Sequence, residues 1–226
     1  MIIAIDGPAA SGKSTTARLV ARELGFTYLD TGAMYRAVTL AVLENGLNIV
    51  DEAPLSDLLG RLDLHLSTSD GETRITLDGR DVSQDIRSID VTAKVSAVSA
   101  APIVRQAMVP LQRRIAATRN CVVEGRDIGT VVFPEARFKF FIVADYEARA
   151  RRRQLDMERL GETRSLDELI ADLKMRDQKD SSRDHSPLRK AEDAREIDTS
   201  NLTINEQVTL IVEQVKNQLA NRKPND

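Results

Sequence analysis

The chain has one cysteine, Cys121, and two histidines, His65 and His185, among its 226 residues. A single thiol closes no internal disulfide and builds no cysteine metal cluster. It lies in the apolar run Cys121-Val122-Val123, which marks it as core packing rather than a nucleophile. Two histidines so far apart give poor support to a histidine metal site or a Ser-His-Asp arrangement. No apolar run approaches the ~20 residues that span a bilayer. Met1 leads directly into an apolar segment, so no cleavable leader is expected. The formal net charge of −3 supplies no global drive toward nucleic acid or an anionic membrane. Internal repeats and low-complexity segments are also missing. These absences suit a cytoplasmic enzyme with no nucleic-acid or membrane partner, and a monomer is expected.

What is present is ordinary in bulk, with 42% hydrophobic and 30% charged residues. The length suffices for one good core with a small insert. The informative feature is Gly7-Pro8-Ala9-Ala10-Ser11-Gly12-Lys13-Ser14, which fits G-x-x-x-x-G-K-[ST]. Its context is right. Ile2–Ile5 reads as a buried strand, and Gly12 to Leu24 reads as a helix with Ala17, Val20, Ala21 and Leu24 on one face. A loop joining a strand to a helix N-terminus can cradle a polyphosphate with its N–H groups. Lys13 would reach the β- and γ-phosphates, and the Ser14 hydroxyl would ligate Mg²⁺. A nucleoside triphosphate and Mg²⁺ are therefore expected.

Further strand candidates are Thr27–Leu29, Cys121–Val123, Phe138–Val143 and Glu196–Asp198, with helical stretches between them. That alternation predicts an α/β fold, a P-loop-type parallel sheet flanked by helices. Thr203-Ile204-Asn205-Glu206 is a capping box opening a last helix, whose stripe is Ile204, Val208, Ile211, Val212, Val215 and Leu219. The tail 222–226 is expected to fray. One region breaks the rhythm. Leu62, Leu64 and Leu66 alternate with polar residues, Ser69-Asp70-Gly71 signals a turn, Ile75 and Leu77 alternate again, and Asp78-Gly79 turns into Arg80-Asp81-Val82. This predicts a small antiparallel meander over about 61–83. A helical region from Ile89 to Thr118 follows, divided or kinked at Pro102 and Pro110. The division expected is a core of 1–30 and 119–226 and an insert of 31–118.

Arginines recur beside strand ends and glycine turns. Thr31-Gly32-Ala33-Met34-Tyr35-Arg36 follows the second strand, and Glu124-Gly125-Arg126-Asp127 follows the third. Open α/β sheets bind ligands at such ends, and the planar arginine fork suits phosphate. Ser165-Leu166-Asp167-Glu168 caps a helix whose apolar face is Leu166, Leu169, Ile170 and Leu173. The same seam continues through Arg176, Asp180 and Arg183. Either this face emerges into a polar cleft, or the helix ends near Asp177 and the rest is a solvated loop. Arg149, Arg152 and Arg153 share a face of another segment, with Arg151 and Arg159 nearby, and the segment ends at Leu160-Gly161. It reads either as a lid over about 146–163 that closes on transferring phosphates or as a basic, solvated helix.

With IAIDGPAASGKSTTA, YLDTGAMYRA, EGRDIGTVVFPEA and RDQKDSSRDHSPL all in place, the chain resembles the bacterial cytidylate kinases of the nucleoside monophosphate kinase group, over essentially its whole length. The resemblance implies transfer of the γ-phosphoryl group of ATP to CMP or dCMP. It implies that Gly7, Pro8, Ala9, Ala10, Ser11, Gly12, Lys13, Ser14 and Thr15 hold ATP, and that the inserted meander belongs to a monophosphate-binding subdomain. Thr31, Tyr35, Arg36, Glu124, Arg126 and Asp127 would lie at the acceptor nucleotide, and Ser96 and Arg105 near its base. Arg176, Asp180 and Arg183 would bind its phosphate and ribose. Lys13, Arg126, Arg152 and Arg176 would carry catalysis. Glu124 departs from the Asp of some relatives, which puts its contact with the nucleotide in doubt, and Thr31 replaces Ser with the hydroxyl kept. An acceptor phosphate needs no strong base, so sparse histidine is no obstacle.

Two other readings stay open on the residues alone: a kinase for another small acceptor, and a regulatory GTPase. Against the second, no N-K-x-D motif occurs.

Overall fold

A computed structural model describes residues 1–69, 72–159 and 161–221, with only the backbone described at 68, 69 and 72. The elements run β1 (Ile2–Asp6), α1 (Lys13–Leu24), β2 (Thr27–Asp30), α2 (Thr31–Glu44), α3 (Glu52–Arg61), β3 (Leu64–Ser69), β4 (Glu72–Leu77), β5 (Arg80–Asp81), α4 (Ile89–Ala100), α5 (Pro102–Ala116), β6 (Cys121–Gly125), β7 (Phe138–Val143), α6 (Tyr146–Glu158), α7 (Leu166–Ser181), β8 (Arg195–Asp198) and α8 (Ile204–Ala220). A π-helical turn occupies Ile128–Val132.

Five strands form one sheet in the order β2-β6-β1-β7-β8, with every pair parallel. This is the expected α/β fold. The strands are apolar because both faces of the sheet are covered. On one face Ile3, Ile5, Tyr28, Val122, Phe138, Phe140 and Ile142 pack against Ala17, Val20 and Ala21 of α1 and Val208, Ile211 and Val215 of α8. On the other, Ala4, Leu29, Cys121 and Val123 pack under α2 to α5. Cys121 is fully buried, as its neighbours implied.

The meander is real. β3, β4 and β5 pair antiparallel, with Leu64 opposite Leu77 and Leu66 opposite Ile75. Leu64, Ile75, Leu77 and Val82 face the core, while His65, Ser67 and Arg74 are exposed. The expected turn at 70–71 lies outside the described residues, as do Leu160 and the tail 222–226.

One expectation needs correction, and two open points are decided. Pro102 divides the long helical region, and Pro110 lies inside α5, which runs through it. Pro110 and Gln106 are both exposed, so the carbonyl that proline cannot serve meets water. In α8, Leu219 is 38% exposed rather than part of the stripe, because the helix has by then run past the sheet. Of the two readings of the seam beyond Leu173, the one that ends the helix near Asp177 is excluded. Helix α7 continues to Ser181, which leaves Asp180 on a buried helical turn.

Candidate active site

The loop 7–12 leaves the C-terminal end of β1 and enters α1 through Gly12, whose φ of 88° only glycine adopts without strain. Ala10 is also left-handed, at φ 58°, a conformation that costs a residue with a Cβ about 1–2 kcal/mol. Donors from outside hold the loop in this shape. Arg149 Nε donates to the Ala9 carbonyl at 2.7 Å, while Arg152 Nη1 and Thr199 Oγ1 donate to the Ser11 carbonyl at 3.0 and 2.9 Å. Lys13 Nζ reaches the Pro8 carbonyl at 3.3 Å. With the loop carbonyls occupied, the N–H groups of the first turn of α1, which have no intrahelical partner, are left for an anion.

Behind the loop stands Glu124, at the end of β6. Its Oε2 accepts from Ser14 Oγ at 2.8 Å and its Oε1 from the Tyr28 hydroxyl. Burial and nearby Asp30 raise this carboxyl, and Lys13 draws it back down. Lys13 is held below the usual lysine range, first by burial and then by Arg126, with Arg176 adding to the effect.

The acceptor-side residues assemble on the far side of Lys13. Asp180, 1% exposed, accepts at Oδ1 from Ser96 Oγ at 2.9 Å and from Arg183, and at Oδ2 from Arg126 Nε at 3.1 Å. Burial opposes its ionisation, but Arg126, Arg183 and Arg176 together hold its pKa below the ordinary value. Arg183 Nη2 also donates to Ser96 Oγ at 3.0 Å, which ties α4 to the end of α7. Arg105 pairs with Asp127 in a second buried ion pair and lies over the Tyr35 ring, 5.6 Å from its centroid. Burial pushes the Tyr35 phenol up to about 12.

Arg176 and Arg36 are the under-compensated cations. The Nε of Arg176 is buried with no hydrogen-bond partner. Burial and Arg126 bring its pKa down to about 9. Arg36 donates to Thr92 Oγ1 at 2.9 Å and the Ile86 carbonyl at 3.2 Å, and burial brings it down to about 10. Arg153 acts on both of them electrostatically. Cations so close together, with so few carboxylates between them, need an anion.

The loop residues, Glu124, Arg126, Arg176, Asp180, Arg183, Ser96, Arg105 and Asp127 are thus brought together as expected. Thr31 lies beside them, but its hydroxyl hydrogen is committed to the Glu124 carbonyl at 2.6 Å. A Cβ on Gly125 would come within 2.8 Å of that hydroxyl. Arg152 is turned elsewhere, onto Ser11 and onto Thr199, where its Nη2 meets the carbonyl at 2.6 Å. The face it was read to share with Arg149 is not solvated. Arg149 is 2% exposed and makes a bidentate pair with Asp177 at 2.5 and 2.8 Å.

Sequence reading missed Asp6, Asp30, the pairing role of Asp177, and Thr199. Asp6, at the end of β1, accepts from the backbone N–H groups of Ile128 and Gly129 at 2.8 and 2.7 Å. Asp30 caps α2 through the Ala33 N–H at 2.8 Å and acts on Lys13 and Arg36. Both are charges ending apolar strands, a signal present in the sequence.

Comparison with known proteins follows the same lines. A family model described as cytidylate kinase matches residues 3–217. A protein named cytidylate kinase from Lactobacillus johnsonii is 45% identical over 98% of this chain and 96% of its own. One of the same name from Halalkalibacterium halodurans is 49% identical over 96% and 97%. Among solved structures, an uncharacterized protein from Eubacterium ventriosum shares the fold, with a TM-score of 0.51 at 14% identity, covering 96% of this chain and 98% of that one.

Proposed function

The chain belongs to the cytidylate kinase family, and on that premise we propose how its residues divide the work of moving the γ-phosphoryl group of ATP to CMP or dCMP. The observation that carries the assignment is the buried cluster in which Asp180 gathers Ser96, Arg126 and Arg183, set near a phosphate loop whose Lys13 is held low by burial and by the charge of Arg126. Donor and acceptor phosphates would meet between Lys13 and that cluster.

Gly7 to Thr15 hold the donor triphosphate, with Lys13 on its β- and γ-phosphates. Residues 31–118 serve as the acceptor insert. Ser96, Arg105 and Asp127 face the base, and Arg36, Arg126, Arg176, Asp180 and Arg183 hold the phosphate and ribose. An oxygen of the acceptor phosphate attacks the γ-phosphorus, and the bond from that phosphorus to the β–γ bridging oxygen breaks. ADP leaves with the electron pair. The acceptor phosphate is largely deprotonated at neutral pH, so positioning and charge stabilisation do the catalysis. We assign the lid arginine for the transferring group to Arg153, since Arg152 on the same helix is occupied with Ser11 and Thr199 and the charge of Arg153 is felt by Arg36 and Arg176. Closure of residues 146–163 excludes water, which would otherwise intercept the phosphoryl group.

Ser14, Glu124 and nearby Asp30 form a hard oxygen set of the kind Mg²⁺ takes. Among the described residues there is no group of three or more His, Cys, Asp or Glu side chains placed for a metal. Mg²⁺ bound to a nucleotide is commonly held by one or two protein oxygens, phosphates and water. Mg²⁺ there would neutralise charge developing on the β- and γ-phosphate oxygens. No helix among the described residues is long and apolar enough to cross a membrane, and we take the enzyme to be a cytoplasmic monomer.

The test is ADP release measured across CMP, dCMP, UMP, AMP and GMP. CMP or dCMP should give the highest kcat/KM, because a site that hydrogen-bonds one base edge leaves buried groups unpaired with another. A purine monophosphate in first place would overturn the acceptor assignment.

A further inference from the structure

We propose that Tyr28 is a positioning residue for phosphoryl transfer, its phenol fixing the Glu124 carboxylate against Ser14. The inference rests on the kinase reading above and goes beyond it, since neither the loop motif nor the acceptor arginines require a tyrosine in β2.

The geometry begins with register. β2 and β6 pair in parallel with Tyr28 beside Val122 and Asp30 beside Glu124. Side chains alternate along a strand, so Tyr28 and Glu124 project from the same face as diagonal neighbours. That face is covered by α1. Tyr28 packs in one apolar cluster with Ala17, Val20, Ala21 and Val122. It is 6% exposed and Glu124 is 2% exposed. A phenylalanine would fill the same space. What phenylalanine lacks is the hydroxyl, and here the hydroxyl donates to Glu124 Oε1. Ser14 Oγ takes the other oxygen at 2.8 Å.

A free glutamate side chain has several rotamers, and fixing it costs conformational entropy. Donors from two different elements, β2 behind and α1 in front, remove that freedom before any ligand arrives. The carboxylate is thereby presented to the Ser14 hydroxyl at the head of the phosphate loop. The Tyr28 hydroxyl meets Glu124 behind the phosphate loop, whereas the acceptor-side cluster is held by bonds among Ser96, Arg105, Arg126, Asp127, Asp180 and Arg183. Its influence should therefore fall on the cation-bearing, donor side of the reaction and spare the acceptor side.

The experiment is Tyr28→Phe, read in two ways. The first is Mn²⁺ binding to the enzyme–ADP complex, followed by water-proton relaxation. The second is the Mg²⁺ requirement of CMP phosphorylation at fixed ATP. Mn²⁺ affinity should fall roughly tenfold, the scale for losing a partner that orients a metal ligand. The Mg²⁺ requirement should rise in parallel, with KM for CMP unchanged. In a Glu124→Gln background the same change should add nothing, because the carboxylate it positions is gone. Unaltered Mn²⁺ affinity in Tyr28→Phe, or an equal loss in the Glu124→Gln background, overturns the proposal. If Tyr28→Phe folds poorly, Glu124→Asp gives a second reading. The shorter carboxylate cannot span both donors, so it should weaken Mn²⁺ binding while leaving the tyrosine in place, and undiminished binding counts against the role. The Mn²⁺–ADP measurement needs no acceptor. A wild-type protein inert toward CMP would sink the function proposed above and leave this measurement readable.

Discussion

Asp6 shows how much a single buried carboxyl can set. It ends β1 and holds the Ile128 and Gly129 N–H groups, so the strand that launches the phosphate loop also fixes the segment carrying Arg126 and Asp127. Burial, opposed by those two N–H bonds, raises its pKa from 3.8 to about 7. The sign follows directly. Between those values the folded protein binds more protons at this site than the unfolded chain does. The contribution of this site to stability should therefore be fullest below about 3.8, decline as pH rises, and be gone above about 7. Urea unfolding at pH 5 and pH 8 checks this: the wild type should lose stability between the two, and Asp6→Asn should lose less. An equal loss in both proteins would remove Asp6 as the cause. The residue was visible in the sequence as a charge closing an apolar strand. Its partners were not, because backbone N–H groups 122 and 123 residues away carry no sequence signature.

Helices α6 and α7 pack together around Ala150, Met157, Leu169 and Leu173, with Ala9 of the phosphate loop in the same cluster. The capping box at Ser165 and the apolar start of α7 were legible, and so was the Arg–Asp–Arg continuation of the seam. The division of labour among the arginines of α6 was not. Positions 149, 152 and 153 share a helical face by spacing, yet Arg149 goes to Asp177 and Arg152 to Thr199 and Ser11, while Arg153 lends its charge to the surroundings of Arg36 and Arg176. Periodicity gives the face of a helix but not the long-range partners that sort its side chains. The roles of Arg152 and Arg153, both half-buried, can be separated kinetically. Arg153→Ala should lower kcat by about a hundredfold, the scale for removing one preorganised contact to developing charge. Arg152→Ala should instead raise KM for ATP and lower Tm, because the Ser11 carbonyl loses a charged donor. Equal kcat losses in both variants would contradict the assignment.

At the scale of the molecule, the acceptor cluster draws on both parts of the chain: Ser96 and Arg105 come from α4 and α5, and Arg126, Asp127, Asp180 and Arg183 from the β6 and α7 side. A ligand seated there must hold the two parts together. CMP at a hundred times its Kd should add about 2.7 kcal/mol to stability. Hydrogen exchange should slow in α4 and α7 together and remain unchanged in α3, whereas protection confined to one side would count against a shared site. The parallel sheet and the meander were both legible, because buried parallel strands are continuously apolar and a half-wet meander alternates. What the sequence concealed was strand order. Nothing local tells β6 to pair with both β1 and β2.

That strand order also governs how the chain comes into being. Ile2 finds its partner at Cys121, and Thr27 finds the same residue. During synthesis, β1, the phosphate loop and α1 therefore emerge long before the strand that lies between β1 and β2. The intervening stretch has its own apolar cluster around Leu55, Leu64, Ile75, Val91 and Val104, and can collect itself while the first strand waits. Once β6 appears, closing so long a loop costs little, since each doubling of length adds only about 0.6 kcal/mol. The penalty is in time rather than in stability. Pairing across the insert is non-local and slow, and until it happens β1 presents an unpaired apolar edge. The newborn chain is most exposed to aggregation in the interval before residue 125 clears the ribosome, and the nucleotide site cannot exist until that interval ends.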